Sequence, residues 1–548
     1  MEQKHSGRFN NFIVQGGILA MAGVLVRILG LLKRIPLAYI IEDVGNSYYS
    51  AAYEIYNIVL TISSYGIPLS VSKLVSARVG KGQYKNAEKI FKCALIFALV
   101  TGATSSVLVY IYSGNLSRLM NEPMSEMALR VLAPTLFVVA IMGVFRGYFQ
   151  GNGTMVPTAF SQLIEQVVLI TVSLSSAYFL SMRGAKIGAL LQNKFYKNAY
   201  GAAGATLGCS VGALASLIFL ILLYNAYSRK NKKNILRDET EYTESTLSVF
   251  KALIFTIVPV VISSTVNNIS NFLDQFIHNK VMVEKGLLDI KSVNWGIYSG
   301  KYLVLIGVPI AMANAMGASS VPTISAIMRK KNYEEICSKI GSVIRITMMI
   351  SIPSAIGLSV MAPSVMYLLF SSTGEVGPNL VRIGSFGIIF FSFSTLTNGI
   401  LQGMSKMFKP IIHGLIAIVI HVSLLLALLY LTDWNIYAVA FSNNFFSLVI
   451  CILNLYSIYK AVGYRQEVKK TFIVPLISAG LMGVVIFILD KVLMKDGFSR
   501  ILILVNIIIG VIIYFISMVL LKGITEKELL MLPGGRFIYK PLHKLHLM

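Results

Sequence analysis

The chemistry of this chain starts with cations placed where an apolar helix ordinarily has none. Arg27 lies inside the run AMAGVLVRILGLL, and Lys33 and Arg34 follow it just before Pro36. A central arginine costs roughly 2.5–3.5 kcal/mol on membrane-insertion scales, so such residues usually face a protein interior or a water-filled cavity. The competing explanation is a side chain that snorkels to an interface, and it weighs more for Lys33 and Arg34, which stand nearer Glu42 and Asp43. Lys301, in WGIYSGKYLVLIGVP, is a further candidate. Two or three cations around one space leave a strong field that is tolerable when an anion visits, which favours a ligand carrying phosphate. Arg27 and Arg34 differ by only about 20° around an ideal helix, whereas Lys33 points elsewhere unless Gly30 or Pro36 distorts the turn. Both Lys33 and Arg34 therefore stay candidates.

Polar stripes accompany these charges. Glu54, Asn57, Thr61 and Ser64 share one face of the second apolar span, and Asn267, Asn271, Asp274 and His278 share one face of the seventh. Each stripe fits either a cavity lining or helix-to-helix hydrogen bonding. Asp274, with Asn271, is the candidate for coupling to Na+ or H+. Arg146 and Glu165 flank the fourth-to-fifth connection and read first as a structural ion pair, second as a gate. His413 and His421 read as core groups. The cysteines Cys93, Cys209, Cys337 and Cys451 are far apart, so neither a disulfide framework nor a metal site is expected. Glycine-rich turns lack the setting of a nucleotide site, and no cofactor is expected. The inner loops carry mainly Lys and Arg, with no paired acids beyond Asp238, Glu239 and Glu241 and Glu334 and Glu335, which argues against a membrane glycosyltransferase or any other enzyme.

The elements that must position these residues are membrane helices. Of 548 residues 55% are hydrophobic and 13% charged, with mean hydropathy +0.72; this predicts an all-α polytopic membrane protein. The first apolar run is too long for a signal peptide. The net charge of +24 lies mainly in alternate loops, a topogenic pattern rather than a nucleic-acid footprint, and it places both termini in the cytoplasm of a multi-pass cell-membrane protein. About fourteen spans are long enough to cross the hydrocarbon core. One segment disagrees with the charge pattern: Arg183, Lys186, Lys194 and Lys197 fall in an outer loop, 181–201, whose LQNKFY centre could form an amphipathic surface helix.

The two halves repeat. Gly66-Ile67-Pro68-Leu69 answers Gly307-Val308-Pro309-Ile310, and Gln150-Gly151 with Met155 answers Gln402-Gly403 with Met407, at offsets of roughly 240 to 250 residues. An even number of spans separates the copies, so two pseudo-symmetric six-helix lobes related by an axis along the membrane normal are expected. The lobes would be 1–226 and 250–465, joined by a cytoplasmic linker at 227–249. Residues 466–548 would add two further helices and a cytoplasmic tail.

The runs RILGLLKRIPLAYII, YEIYNIVLTISSYGIPLSVSKLVSARVGKGQY and FRGYFQGNGTMVPTAFSQLIEQ resemble the stage V sporulation protein B and MurJ-type branch of the multidrug/oligosaccharidyl-lipid/polysaccharide exporter superfamily, which includes the MATE-like exporters. The resemblance covers nearly the whole chain. It implies a fourteen-helix flippase that moves undecaprenyl-diphosphate-linked glycan, lipid II above all, from the inner to the outer leaflet for cell-wall peptidoglycan synthesis. It also implies cavity cations at Arg27 and Lys33 on the first helix and at Lys301 on the eighth. Two positions depart from the pattern: Thr61 stands where well-known members have an arginine, and Arg34 where they have an acid. Export of another lipid-linked polysaccharide or teichoic precursor is the nearest alternative, with a drug/cation antiporter behind it. The expected partners are a lipid-linked oligosaccharide, membrane lipids and cell-wall synthesis proteins around a monomer, with no nucleic acid. Two diphosphate charges leaving an inside-negative cell gain roughly 4–5 kcal/mol per 100 mV, so the membrane potential could drive the movement.

Overall fold

The computed structural model describes residues 2–236, 238, 240, 244–329, 332–371, 374–493 and 499–524. Among these, every regular element is a helix. Apolar runs buried in lipid have no water to satisfy their peptide groups, and helices bond them internally. Eleven helices among the described residues are long and apolar enough to cross a membrane, or twelve if Val376–Gly384 and Gly387–Gly403, bent by 46°, form one span. The chain is an integral, multi-pass membrane protein. The fourteen expected spans are not all reached in this count, because the first helix, which runs through two of them, lies outside it. The expected tail beyond 524 and residues 237, 239 and 241–243 of the linker lie outside the described residues.

Contacts divide the chain into two compact units, Met1–Gly300 and Lys301–Met548. Unit 1 holds α1 (Glu2–Ser63), α2 (Ile67–Val79), α3 (Tyr84–Leu119), α4 (Glu126–Gly151), α5 (Val156–Leu190), α6 (Phe195–Leu236), α7 (Thr246–Glu284) and α8 (Leu288–Ile297). The division between these compact units falls after α8, where α7 and α8 pack on α1.

Helix α1 is two spans joined without a loop. Its backbone breaks at Glu42 (φ 60°, ψ −179°), a conformation that side chains rarely adopt and that needs its surroundings to hold it. Those surroundings are specific. The Glu42 carboxylate accepts from Lys197 Nζ at 2.5 Å and from Asn198 Nδ2 at 3.2 Å, and Asn198 also donates to the Ile41 carbonyl at 3.0 Å. Burial pushes the Glu42 carboxyl up, but the hydrogen bonds and charge from Lys197 and Asn198 outweigh it and hold the group below its ordinary value.

Helix α4 is enclosed by its neighbours. Toward the linker end, Phe145 and Tyr148 of α4 cluster with Phe91 and Tyr224, ring centroids 4.7–5.6 Å apart. Toward the other end, Leu129, Leu132 and Leu136 pack with Leu37 and Ile41. Helices α5 and α6 lie close together through small residues, with Ser173 and Ser176 donating across to the carbonyls of Ala205 and Gly204 at 2.7 and 2.6 Å. This corrects the expectation of a separate surface helix at 181–201: those residues end α5 and begin α6 around a short turn. At 35 and 42 residues and about 1.5 Å rise each, the pair exceeds a roughly 30 Å apolar core, so its charged tip stands outside it.

The linker residues that are described fold back on the α2–α3 turn. Asp238 accepts from the Lys85 amide at 2.7 Å, and Glu244 pairs with Arg78 at 2.6 Å.

Unit 2 holds α9 (Leu303–Arg329), α10 (Tyr333–Val360), α11 (Ala362–Phe370), α12 (Val376–Gly384), α13 (Gly387–Gly403), α14 (Phe408–Leu431), α15 (Ile436–Val462), α16 (Val474–Leu493) and α17 (Arg500–Leu520). Helix α9 packs on α13, and α14 on α15. His413 is a satisfied core group: its Nδ1 meets Asn454 Oδ1 at 2.7 Å and its Nε2 meets Ser457 Oγ at 3.2 Å. His421 is buried against the Phe446 ring. The last two helices pack on each other and on α10, where Tyr514 donates to the Met349 carbonyl at 2.9 Å.

Candidate functional site

The three first-helix cations go to three different environments. Arg27 is exposed on α1 and, among the described residues, makes no ion pair. Lys33, one-third of a turn before Arg34, is 7% exposed and lies inside unit 1. Its Nζ stands 5.6 Å from the centroid of the Tyr49 ring. Arg34 is half-buried and crosses to the chain just after α8, where its guanidinium donates to the Ser299 carbonyl at 3.1 Å. The roughly 100° between consecutive residues of a helix separates the two: Lys33 faces the packed interior and Arg34 faces the seam with α7 and α8.

That seam carries the polar stripe of the second span. Glu54 is half-buried, its Oε2 has no hydrogen-bond partner, and the nearby charges acting on it are those of Arg34 and Asp274. Thr61 is buried; it donates to the Asn57 carbonyl at 2.7 Å and accepts from Asn268 Nδ2 at 3.3 Å. Asp274 is buried and Asn271 exposed on α7, and His278 is buried beside Trp295, ring centroids 5.3 Å apart. The side chain of Asn267 lies outside the described residues. The structure thus brings Arg34, Glu54, Thr61 and Asp274 to one α1–α7 seam. Lys301 opens unit 2, half-buried within the π turn Tyr298–Tyr302.

Arg146 and Glu165 are bonded to each other. The guanidinium donates to Glu165 Oε2 at 2.6 Å, to Ser161 Oγ at 2.9 Å and to Ser216 Oγ at 3.1 Å, tying α4, α5 and α6 together.

A second charged centre was not singled out by the sequence. Glu122, in the turn between α3 and α4, is 2% exposed; Lys291, on the first turn of α8, is 5% exposed. Lys291 Nζ stands 3.3 Å from Glu122 Oε1 and donates to the Asn121 carbonyl. Ser47 of α1 and Ser292 of α8 donate to the same Glu122 oxygen at 2.9 and 2.8 Å. Asn279 of α7 donates to the Met120 carbonyl at 2.8 Å. Burial pushes the Glu122 carboxyl above its ordinary value, against the opposing pull of Lys291 and the two serines. The signal available in the sequence was slight: one acid in a short turn and one lysine at a span's edge, each unremarkable at an interface.

Residues 13–328 match the family described as Polysaccharide biosynthesis protein. The chain belongs to this family. Among relatives, it is 26% identical over 488 residues to the Bacillus subtilis (strain 168) protein named Lipid II flippase MurJ, covering 87% of this chain and 88% of that one. It is 23% identical over 456 residues to Stage V sporulation protein B of the same organism, covering 83% and 84%. Among solved structures, Lipid II flippase MurJ in an inward closed conformation superposes with a TM-score of 0.67 at 15% identity, covering 92% of this chain and 98% of that one. An inward-facing multidrug resistance MATE family transporter gives 0.64 at 16% identity, covering 80% and 98%. The fold of this polysaccharide biosynthesis family member is that of the MATE-like exporters, as the resemblance in its first, second and fourth-to-fifth spans implies.

Proposed function

We propose that this protein is a flippase that carries an undecaprenyl-diphosphate-linked glycan, lipid II in the first instance, from the inner to the outer leaflet by alternating access. It is a transporter rather than an enzyme, with both termini in the cytoplasm. The observation that carries this reading is the treatment of the first-helix cations: Arg27 is exposed and without an ion pair among the described residues, and Arg34 meets a carbonyl. A membrane helix keeps such charges for a ligand that neutralises them. The relatives named above support the choice of a lipid-linked glycan over a drug.

In this mechanism the diphosphate is held by Arg27 and Arg34, while Lys33 stays in the packed interior and sets the position of α1. Guanidinium pairing with phosphate is strong and bidentate, which accounts for arginine at the most apolar position. The sugar head would occupy the polar seam of Glu54, Asn57 and Thr61 while the prenyl tail stays in lipid. Membrane potential acting on the two diphosphate charges supplies roughly 4–5 kcal/mol per 100 mV. Asp274, beside Asn271, is the group for any Na+ or H+ coupling; unchanged ion dependence in Asp274→Asn would remove it from that role.

A second reading, transport of another lipid-linked polysaccharide or teichoic precursor, is favoured by Thr61, which is neutral, buried and hydrogen-bonded at a position where lipid II carriers of this type have a cation. Reconstitution into proteoliposomes with fluorescent lipid II separates the two. The first reading expects flipping that Arg27→Ala slows by at least about tenfold; flipping of a teichoic precursor but not lipid II would favour the second.

A further inference from the structure

The polar cluster around Glu122 and Lys291 sits at the end of unit 1 remote from the linker, where Lys291, Ser292 and Asn279 of α7–α8 meet the turn between α3 and α4 and Ser47 of α1 braces the same carboxylate. Ser47 and Ser292 reach one carboxylate oxygen from α1 and α8. Gln275 of α7 donates to the Ser47 carbonyl at 3.3 Å and accepts from Ser50 at 3.0 Å, and Trp295 donates to Ser50 at 3.1 Å. The turn between α3 and α4 aims the carbonyls of Met120 and Asn121 at Asn279 and Lys291.

The backbones close behind this cluster. A Cβ at Gly296 would lie 1.7 Å from the Asp43 carbonyl oxygen, and one at Gly300 would lie 2.6 Å from the Asn46 side chain. These two glycines, four residues apart on one face, let the chain of α8 and its continuation lie directly on α1.

Two physical features set this seam apart from a permanent core contact. Its hydrogen bonds, which lie beside the packing of Phe272 and Phe276 of α7 on the α1 cluster, can each be replaced by water when the helices part. Its central interaction is a buried ion pair, which contributes little net stability over apolar residues of similar size but is costly to leave half-broken. Such a pair favours two states, fully closed and fully hydrated. It also joins elements that belong to the two different repeats of the sequence, at the place where they must separate for a ligand to leave.

We infer that Glu122 and Lys291 are gating residues: their pair, with Ser47, Ser292 and Asn279, is a latch that closes the outer side of the seam and must come apart once per transport cycle. This rests on the flippase reading for its orientation and for the need to open.

The test uses full-length protein in proteoliposomes, with Ser50→Cys as a reporter beneath the latch and the four native cysteines replaced by serine. Ser47→Cys with Ser292→Cys supplies the closing cross-link, since both hydroxyls stand on one Glu122 oxygen. Glu122→Cys with Lys291→Cys is the second pair, used if the first fails to fold. With the pair reduced, a membrane-impermeant thiol reagent added outside is expected to label the reporter; oxidation or a short bis-thiol linker should slow labelling at least tenfold, and reduction should restore it. Equal labelling with the cross-link closed would overturn the latch and leave a static brace. Flipping of fluorescent lipid II, read in the same vesicles, should stop and restart with the cross-link. If labelling follows the cross-link but no lipid-linked glycan is flipped by the reduced protein, the latch stands and the flippase reading fails.

Discussion

One helix carries two charged places that are handled in opposite ways. Near Ser47 of α1, a lysine and a glutamate meet where Ser47 and Ser292 donate to the carboxylate and the Asn121 carbonyl accepts from the lysine. At Arg27 and Arg34 of the same α1, one guanidinium is exposed without an ion pair among the described residues and the other rests on a carbonyl. The difference teaches where the protein supplies its own counter-charge and where it leaves that to something else. A neutralised pair can hold helices together in the absence of ligand. An unneutralised cation can do so only at a cost, and that cost is recovered when an anion arrives.

The contrast can be broken most directly at Lys291. Lys291→Met leaves Glu122 buried without its partner and should destabilise the protein by about 3–5 kcal/mol in detergent unfolding experiments. Glu122→Gln combined with Lys291→Met should recover most of that loss. A neutral single variant would mean the pair is hydrated rather than buried.

Arg27→Ala should behave in the reverse manner. Losing a charged hydrogen bond to the ligand of about 1.5–3 kcal/mol corresponds to a fall of roughly ten- to a hundredfold in flipping, while stability stays within about 0.5 kcal/mol of wild type, as for a surface change. Unfolding of this variant at the same denaturant concentration as Lys291→Met would erase the distinction between the two sites.

Gly296→Val sharpens the geometry of the closed seam. The added side chain meets the Asp43 carbonyl, and overpacking of this kind typically costs about 1–3 kcal/mol. The same variant should raise outside labelling of a reporter at Ser50, because α8 can no longer lie on α1.

The smallest effect is expected at the α1 break. Glu42 titrates below the ordinary glutamate value in the folded protein because hydrogen bonds from Lys197 and Asn198 outweigh the burial that pushes it up. Its stabilising contribution is therefore present above the unfolded carboxylate value and is lost as pH falls through the lower, folded value. Glu42→Gln should flatten that acid limb of an unfolding profile and leave neutral pH nearly unchanged.

The membrane class, the helical fold and the family were legible from the chain because apolar length and charge placement are properties of the sequence alone. The grouping of Arg27, Lys33 and Arg34 was legible too, since charges stand out against leucine and isoleucine. What periodicity could not assign was their separation: Lys33 turns into the packed interior beside Tyr49 while Arg34 reaches Ser299, and that depends on which neighbours pack against each face. The Glu122–Lys291 cluster was illegible for a different reason. Its members come from α1, α7, α8 and the turn between α3 and α4, each looks like an ordinary interfacial residue in its own segment, and only the close approach at Gly296 and Gly300 unites them. The charged 181–201 segment misled because helices longer than the membrane carry their charges on a projecting tip.

The central claim, that Arg27 and Arg34 await a diphosphate, is tested most directly by native mass spectrometry of the purified protein with undecaprenyl diphosphate and with uncharged undecaprenol. The account predicts retention of the diphosphate lipid at least about tenfold better than the alcohol, a difference of about 1.4 kcal/mol, and loss of that preference in Arg27→Ala with Arg34→Ala. Equal retention of the two lipids by wild type, or an undiminished preference in the double variant, would contradict it.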